Sequence, residues 1–187
     1  MDAITSLRDD HKRVEKLFKQ FEKLADGTDD KAKTKVVEEI VRELSVHAAI
    51  EEQVFYPAVR KAVPDVADVV LEGLEEHHVV KWTLSELDGM APTEERFKAK
   101  VTVLIESVRH HVEEEEGDMF PKVREALGRK ALQEMGETLD AARNAAPTHP
   151  HPKAPDEPPG NLVAGPLAAA VDRGKDRVGR LGRRKSR

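Results

Sequence analysis

One phrase of fourteen residues occurs twice in this 187-residue chain, and no other feature constrains its fold as strongly. His47-Ala48-Ala49-Ile50-Glu51-Glu52-Gln53-Val54-Phe55-Tyr56-Pro57-Ala58-Val59-Arg60 returns, 64 residues later and without a gap, as His111-Val112-Glu113-Glu114-Glu115-Glu116-Gly117-Asp118-Met119-Phe120-Pro121-Lys122-Val123-Arg124. Both copies read His-x3-Glu-Glu-x2-apolar-aromatic-Pro-x-Val-Arg. A lone His precedes each, in Asp9-Asp10-His11 and, 66 residues on, Glu75-Glu76-His77. Each half of the chain therefore supplies one His and then a His-x3-Glu pair, a spacing that can build a metal site inside a helix bundle.

The apolar residues fall at helical intervals around these motifs. Ile4, Leu7, Val14, Leu17, Phe18, Phe21 and Leu24 mark a first stripe, and His11 lies on it. Val37, Ile40, Leu44 and Val54 share a second stripe with His47 and Glu51. Val66, Val70, Gly73, Val80, Leu84 and Leu87 share a third with His77. Phe97, Val101, Leu104 and Val108 share a fourth with His111 and Glu115. Short loops at 26–30 and 88–93 favour antiparallel neighbours, so the expected fold is all-α, an antiparallel up-down-up-down four-helix bundle. Pro57 and Pro121, each lacking an N–H, should kink or end helices two and four at matching places. Residues 122–143 read as an additional C-terminal helix, interrupted near Gly128.

Residues 1–145 thus form the expected bundle domain. From 146 to 187 the composition changes to a proline-rich linker followed by a basic tail, expected to be disordered apart from a transient helix. Residues 172–187 carry eight Lys/Arg against two Asp, a surplus of six; the net charge of −5 therefore hides a body of −11. Three options stand for such a tail: folding back on its own acidic body, a weak, salt-sensitive contact with nucleic acid or anionic lipid, or no partner at all. The chain has no Cys, which excludes disulfides, thiolate metal sites and a Cys nucleophile. The N-terminus has no apolar signal core, and no run of about 18 apolar residues exists; a cytoplasmic location is expected. There is no glycine-rich phosphate loop and no Gly-x-Ser-x-Gly elbow.

A single His-x3-Glu pair on a helix is an ordinary surface feature. Four His and two Glu on core-facing stripes are not, because buried carboxylates are costly unless paired or metal-bound. Imidazole and carboxylate donors without thiolate suit iron, manganese or zinc. The repeat suggests two metals related by a pseudo-twofold axis. A buried hydrogen-bonded polar network is the alternative. An alternative register, His110-x3-Glu114, breaks the alignment with Pro121. Glu52 and Glu116 either support the ligands or face solvent. Tyr56 packs at a helix end or reaches the site as a phenol. His149 and His151 fall in the proline linker and are read as incidental.

The ordered set His11, His47-x3-Glu51, His77, His111-x3-Glu115, with Phe55-Tyr56-Pro57 and Met119-Phe120-Pro121 behind the pairs, resembles the hemerythrin-like (HHE cation-binding) family over about residues 1–125. The resemblance implies two non-haem iron ions, carboxylate- and oxo/hydroxo-bridged. His11, His47, His77 and His111 would be terminal ligands, and Glu51 and Glu115 would bridge. It implies binding of O2, peroxide or nitric oxide in oxidative-stress response or iron homeostasis, with peroxide decomposition as an activity, or else a non-catalytic sensor or iron-binding module. The chain departs from the family's oxygen carriers at two places. Gly73 and Lys81 stand where those carry a second His on helix three, and His111-x4 reaches Glu116 rather than Asp. The missing imidazole favours peroxide chemistry, sensing or iron exchange over reversible carriage.

Overall fold

The computed structural model describes residues 1–185, without the side chains of Val163 and of 177–185. Helices α1 (Ala3–Leu24), α2 (Asp30–Ile50), α4 (Ala67–Leu87) and α5 (Phe97–Glu114) form the bundle. A short α3 (Tyr56–Ala62) extends α2, and α6 (Phe120–Ala145) extends α5. Asp2 and Asp29 cap α1 and α2, their carboxylates accepting the N–H groups of Thr5 and Ala32.

The antiparallel order is visible in the burial pattern. Two apolar clusters fill the bundle, one around Ile4, Leu7, Ile50, Phe55, Val59, Val70 and Phe120, the other around Phe18, Phe21, Ile40, Leu84, Phe97 and Leu104. Helix α1 starts in the first cluster and ends in the second, α2 runs back, α4 repeats the course of α1, and α5 that of α2. The polar stripe residues lie on every helix between the two clusters.

Pro57 and Pro121 do not break the chain direction. Each is preceded by one π-helical turn, Glu51–Phe55 and Glu115–Met119. There the N–H groups of Tyr56 and Phe120 reach back five residues to the carbonyls of Glu51 and Glu115. Widening the turn lets a residue without an N–H follow with no clash against the carbonyl four back. Both π turns begin at the repeated Glu, and π turns recur at functional positions because they re-aim side chains.

The expected C-terminal helix is α6, which covers the first apolar cluster through Leu132 and Leu139. It bends at Gly128, whose backbone (φ 70°, ψ 173°) is one that L side chains rarely adopt.

The region beyond 146 differs from the disordered tail expected. It crosses the bundle as an irregular strap and becomes helix α7 (Gly160–Lys185). Asn161 Nδ2 donates to the Glu52 carbonyl, Arg60 pairs with Glu157 at 2.8 Å, and Lys81 pairs with Asp156. Asp172 is fully buried and accepts the N–H groups of Thr148 and His149. His149 and His151, read as incidental, bond to Asp88, Asp176 and Asp172. Charge offered a fold-back as one option, but hydropathy could not show the anchors, which are single polar residues and small ones such as Gly165, where a Cβ would stand 2.5 Å from Gln53 Nε2 in the π turn. The basic side chains from Arg177 on, which carry the expected contact with nucleic acid or lipid, lie outside the described residues. Among the described residues no helix is long and apolar enough to cross a membrane.

Replacing Gly128 with Ala should lower stability by about 1–3 kcal/mol, since the bend requires that backbone conformation. Urea unfolding checks this; an unchanged midpoint would mean that the bend is dispensable.

Candidate metal centre

All six stripe residues converge. His47 in the last turn of α2 and Glu51 at the start of the π turn that follows sit four residues apart, as do His111 of α5 and Glu115 of its π turn, and His11 and His77 enter from α1 and α4. All six are buried, Glu51 completely. Glu51 Oε2 lies 3.2 Å from His47 Nε2 and 3.4 Å from His77 Nε2, so it meets one imidazole from each half. Glu115 Oε2 lies 3.3 Å from His11 Nε2 and 3.7 Å from His111 Nε2. His11, His47, Glu51 and Glu115 form one group whose ligating atoms lie within 4.8 Å of one another; Glu51, His77 and His111 form a second. Glu51 belongs to both.

The inward atoms are short of partners. His11 Nε2, His47 Nε2, both oxygens of Glu51 and Oε2 of Glu115 have no hydrogen-bond partner among the described residues. The close approaches quoted above therefore lack hydrogen-bond geometry. Leaving two carboxylates so placed costs several kcal/mol unless a cation compensates. Burial pushes the Glu51 carboxyl well above the usual range, and the charge of Glu115 adds to it. Burial acts on Glu115 in the same direction, but His111 and His11 outweigh it and hold that carboxyl low. Burial also drives His47 and His77 well below the usual imidazole range, keeping them in the neutral form that binds metal. The donor set and its orphaned atoms fit a pair of cations.

Every inward imidazole is held from behind by a carboxylate at Nδ1. His11 pairs with Glu116 (2.8 Å), His47 with Asp10 (3.5 Å), His77 with Glu52 (3.1 Å) and His111 with Glu76 (2.6 Å). A carboxylate only accepts, so each fixes the tautomer that turns the Nε2 lone pair inward. The wiring follows the repeat. The acid just before each lone His, Asp10 or Glu76, holds the paired His of its own half. The second Glu of each pair, Glu52 or Glu116, holds the lone His of the other half. Sequence reasoning gave Glu52 and Glu116 a supporting role as one option but assigned none to Asp10 and Glu76. The signal was the acid-His dipeptide repeated in Asp10-His11 and Glu76-His77.

The halves differ at one hydroxyl. Phe120 stacks on His11 (5.8 Å between centroids), and its repeat counterpart Tyr56 stacks on His77 (5.4 Å). Tyr56 Oη donates to Glu115 Oε1 at 2.9 Å and lies 3.3 Å from His111 Nε2. A Cβ at Gly73 would stand 3.0 Å from that oxygen, whereas the counterpart of Gly73 beside Phe120 is Leu7. Glycine at 73 thus makes room for the phenol. Lys81, the other departure noted on helix three, turns away to Glu52 at 2.9 Å.

The hemerythrin HHE cation binding domain description matches residues 2–123. An uncharacterized hemerythrin-like protein of Schizosaccharomyces pombe is 30% identical over 162 residues, covering 86% of this chain and 80% of that protein. A DNA nickase of Nostoc sp. is 27% identical over 138 residues, 74% of this chain but 38% of that protein's length. The crystal structure of a hemerythrin HHE cation binding domain-containing protein from Mycobacterium kansasii shares the fold, with a TM-score of 0.63 at 23% identity, covering 77% of this chain and 86% of that one.

Glu51→Gln should stabilise the metal-free protein at neutral pH by about 1–3 kcal/mol while weakening metal binding. Because the folded-state pKa of Glu51 is raised, its burden is absent below the ordinary carboxylate range and grows as pH rises above it. The gap between variant and wild-type melting points should therefore widen with pH. A gap that narrows would mean that Glu51 is compensated without metal.

Proposed function

The chain belongs to the hemerythrin HHE cation-binding family, and on that premise we propose that its inward residues hold two non-haem iron ions that react with a small oxygen species. His11, His47 and Glu115 would hold one ion and His77 and His111 the other, with Glu51 within reach of both sets. The reading rests on one observation: His11 Nε2, His47 Nε2, both oxygens of Glu51 and Oε2 of Glu115 are buried without a partner among the described residues, and all lie in the groups that share Glu51. Iron in such a place supplies one-electron chemistry and Lewis acidity toward O2, peroxide or nitric oxide.

The chain's own residues do the rest. The apolar clusters on either side exclude bulk water. A cavity of about 340 Å³, large enough for a small molecule, is lined by Pro57, Arg60, Val70 and Leu74 together with Tyr56 and Glu52, two residues that touch the site's imidazoles and carboxylates. Tyr56, which lines that cavity, brings a hydroxyl proton to Glu115; burial raises its pKa well above the usual phenol range, so it stays protonated. Among the described residues no further imidazole faces His77 from α4; Gly73 and Tyr56 take that space. This supports peroxide decomposition over reversible carriage of O2, in the service of oxidative-stress response or iron homeostasis.

The second reading is a sensor acting through a partner. It is favoured by the C-terminal strap, which bonds to Glu52 and Lys81 immediately behind His77. The enzyme reading expects turnover by the isolated protein, the sensor reading a ligand-dependent movement of the strap without turnover.

Elemental analysis should give close to two irons per chain. Glu51→Ala and Glu115→Ala should lose iron, and Glu114→Ala should keep both ions; equal loss in all three would place the ligands elsewhere. The iron-loaded protein should evolve O2 from hydrogen peroxide, and His77→Ala should not. A long-lived, reversible O2 complex with no peroxide turnover would restore the carrier reading.

Removing a carboxylate behind an imidazole should weaken the metal without unfolding the bundle. Asp10→Asn and Glu116→Gln should each lower iron affinity about 10–100-fold at unchanged helix content, as read by chelator competition and circular dichroism. Wild-type affinity in both would mean that these contacts are incidental.

A further inference from the structure

Outside the buried centre, the described residues bring three more ligating side chains together: Glu76, His110 and Glu114, with an atom of each within 4.8 Å of the others. His110 and Glu114 stand one turn apart on α5, Nε2 to Oε1 at 3.6 Å, and Glu76 reaches them from α4. The set is the outer copy of the inner pair. One residue of helix turns the side chain by about 100°, so His110-x3-Glu114 opens on the surface where His111-x3-Glu115 faces the core. Both registers that the sequence left open are therefore occupied, with different surroundings.

An exposed His-x3-Glu pair is by itself an ordinary surface feature. Two observations set this one apart. Its third member arrives from a neighbouring helix and is already committed, since Glu76 Oε2 holds His111 Nδ1. The charge balance is also unlike that of the other three carboxylates in the same role. Asp10 has Arg13 and Arg143, Glu52 has Lys81, and Glu116 has Arg8. Neither Glu76 nor Glu114 has a Lys or Arg partner among the described residues; their neighbours there are His111 and His110. Where a cationic side chain stands behind the other imidazoles, this position has a ligand set that a metal cation would complete.

We propose that Glu76, His110 and Glu114 form an accessible site for a divalent first-row metal ion, and that the ion bound there feeds the buried centre. One imidazole and two carboxylates suit Fe2+, Mn2+ or Zn2+. Open coordination positions at the surface fill and empty quickly, whereas the inner ligands are buried between apolar clusters. Glu76 joins the two, since it belongs to the outer group while its Oε2 holds an imidazole of the inner set. The feeding role rests on the two-iron reading; the outer site itself does not.

Titration of iron-loaded, untagged full-length protein with Zn2+ should show one further ion per chain. The double variant H110A/E114Q should lose that ion and keep its iron and helix content. H149A/H151A, which removes the imidazoles of the strap, should retain it. No further ion in the wild type, or an undiminished one in H110A/E114Q, overturns the outer site. Under limiting Fe2+ without oxygen, H110A/E114Q should fill the centre severalfold more slowly than wild type and reach the same final iron content. Equal rates overturn the feeding role. If neither protein takes up iron, the two-iron reading fails and the feeding role falls with it, while the difference of one Zn2+ between the two proteins still decides the outer site.

Discussion

Two carboxylates at the waist of a helix bundle set the terms for this protein. Glu51 and Glu115 are buried between two apolar clusters, close to four imidazoles and without enough hydrogen bonds to offset their desolvation. An interior of this kind tolerates ionised groups only when cations or donors meet every lone pair. The apolar clusters supply the stability that such a site consumes. They also fix its position, since each helix contributes apolar residues on both sides of its ligands.

The carboxylates behind the imidazoles tie the two halves together. Glu52 from the first half holds His77 in the second, and Glu116 from the second holds His11 in the first. Neither half can orient its own lone imidazole. The exchange makes the site a property of the assembled bundle, and the π turns that begin at Glu51 and Glu115 help to aim both glutamates of each pair, one inward and one sideways.

The repeat is broken at the site itself. Tyr56 replaces the phenyl ring of Phe120 with a phenol, and Gly73 replaces Leu7 to admit the hydroxyl. One half-site thereby gains a proton donor on Glu115, from a tyrosine that also lines a cavity of about 340 Å³. Glu76 departs from its three counterparts in having His110 and Glu114 beside it in place of Arg or Lys. Local asymmetry on a duplicated frame gives the two half-sites unequal surroundings.

The sequence alone determined the helices, their alternating course and the six residues that meet at the waist. These are local properties: periodicity places a side chain on a face, an interval of four places two on the same face, and a gapless repeat fixes the register of one pair against the other. Tertiary structure decided which acid holds which imidazole, because those bonds join residues 25 to 105 positions apart on different helices. It also decided between a phenol that packs and one that enters the site, which depends on the absent Cβ at Gly73. It placed the proline-rich segment as a strap and α7 on the bundle, through contacts of Asn161, Asp156 and Asp172 that leave no periodic trace. Spacing along a helix can be read from a chain, but the partner of an outward-turned nitrogen depends on how neighbouring helices are rotated and offset, and that is settled only when their apolar faces are packed.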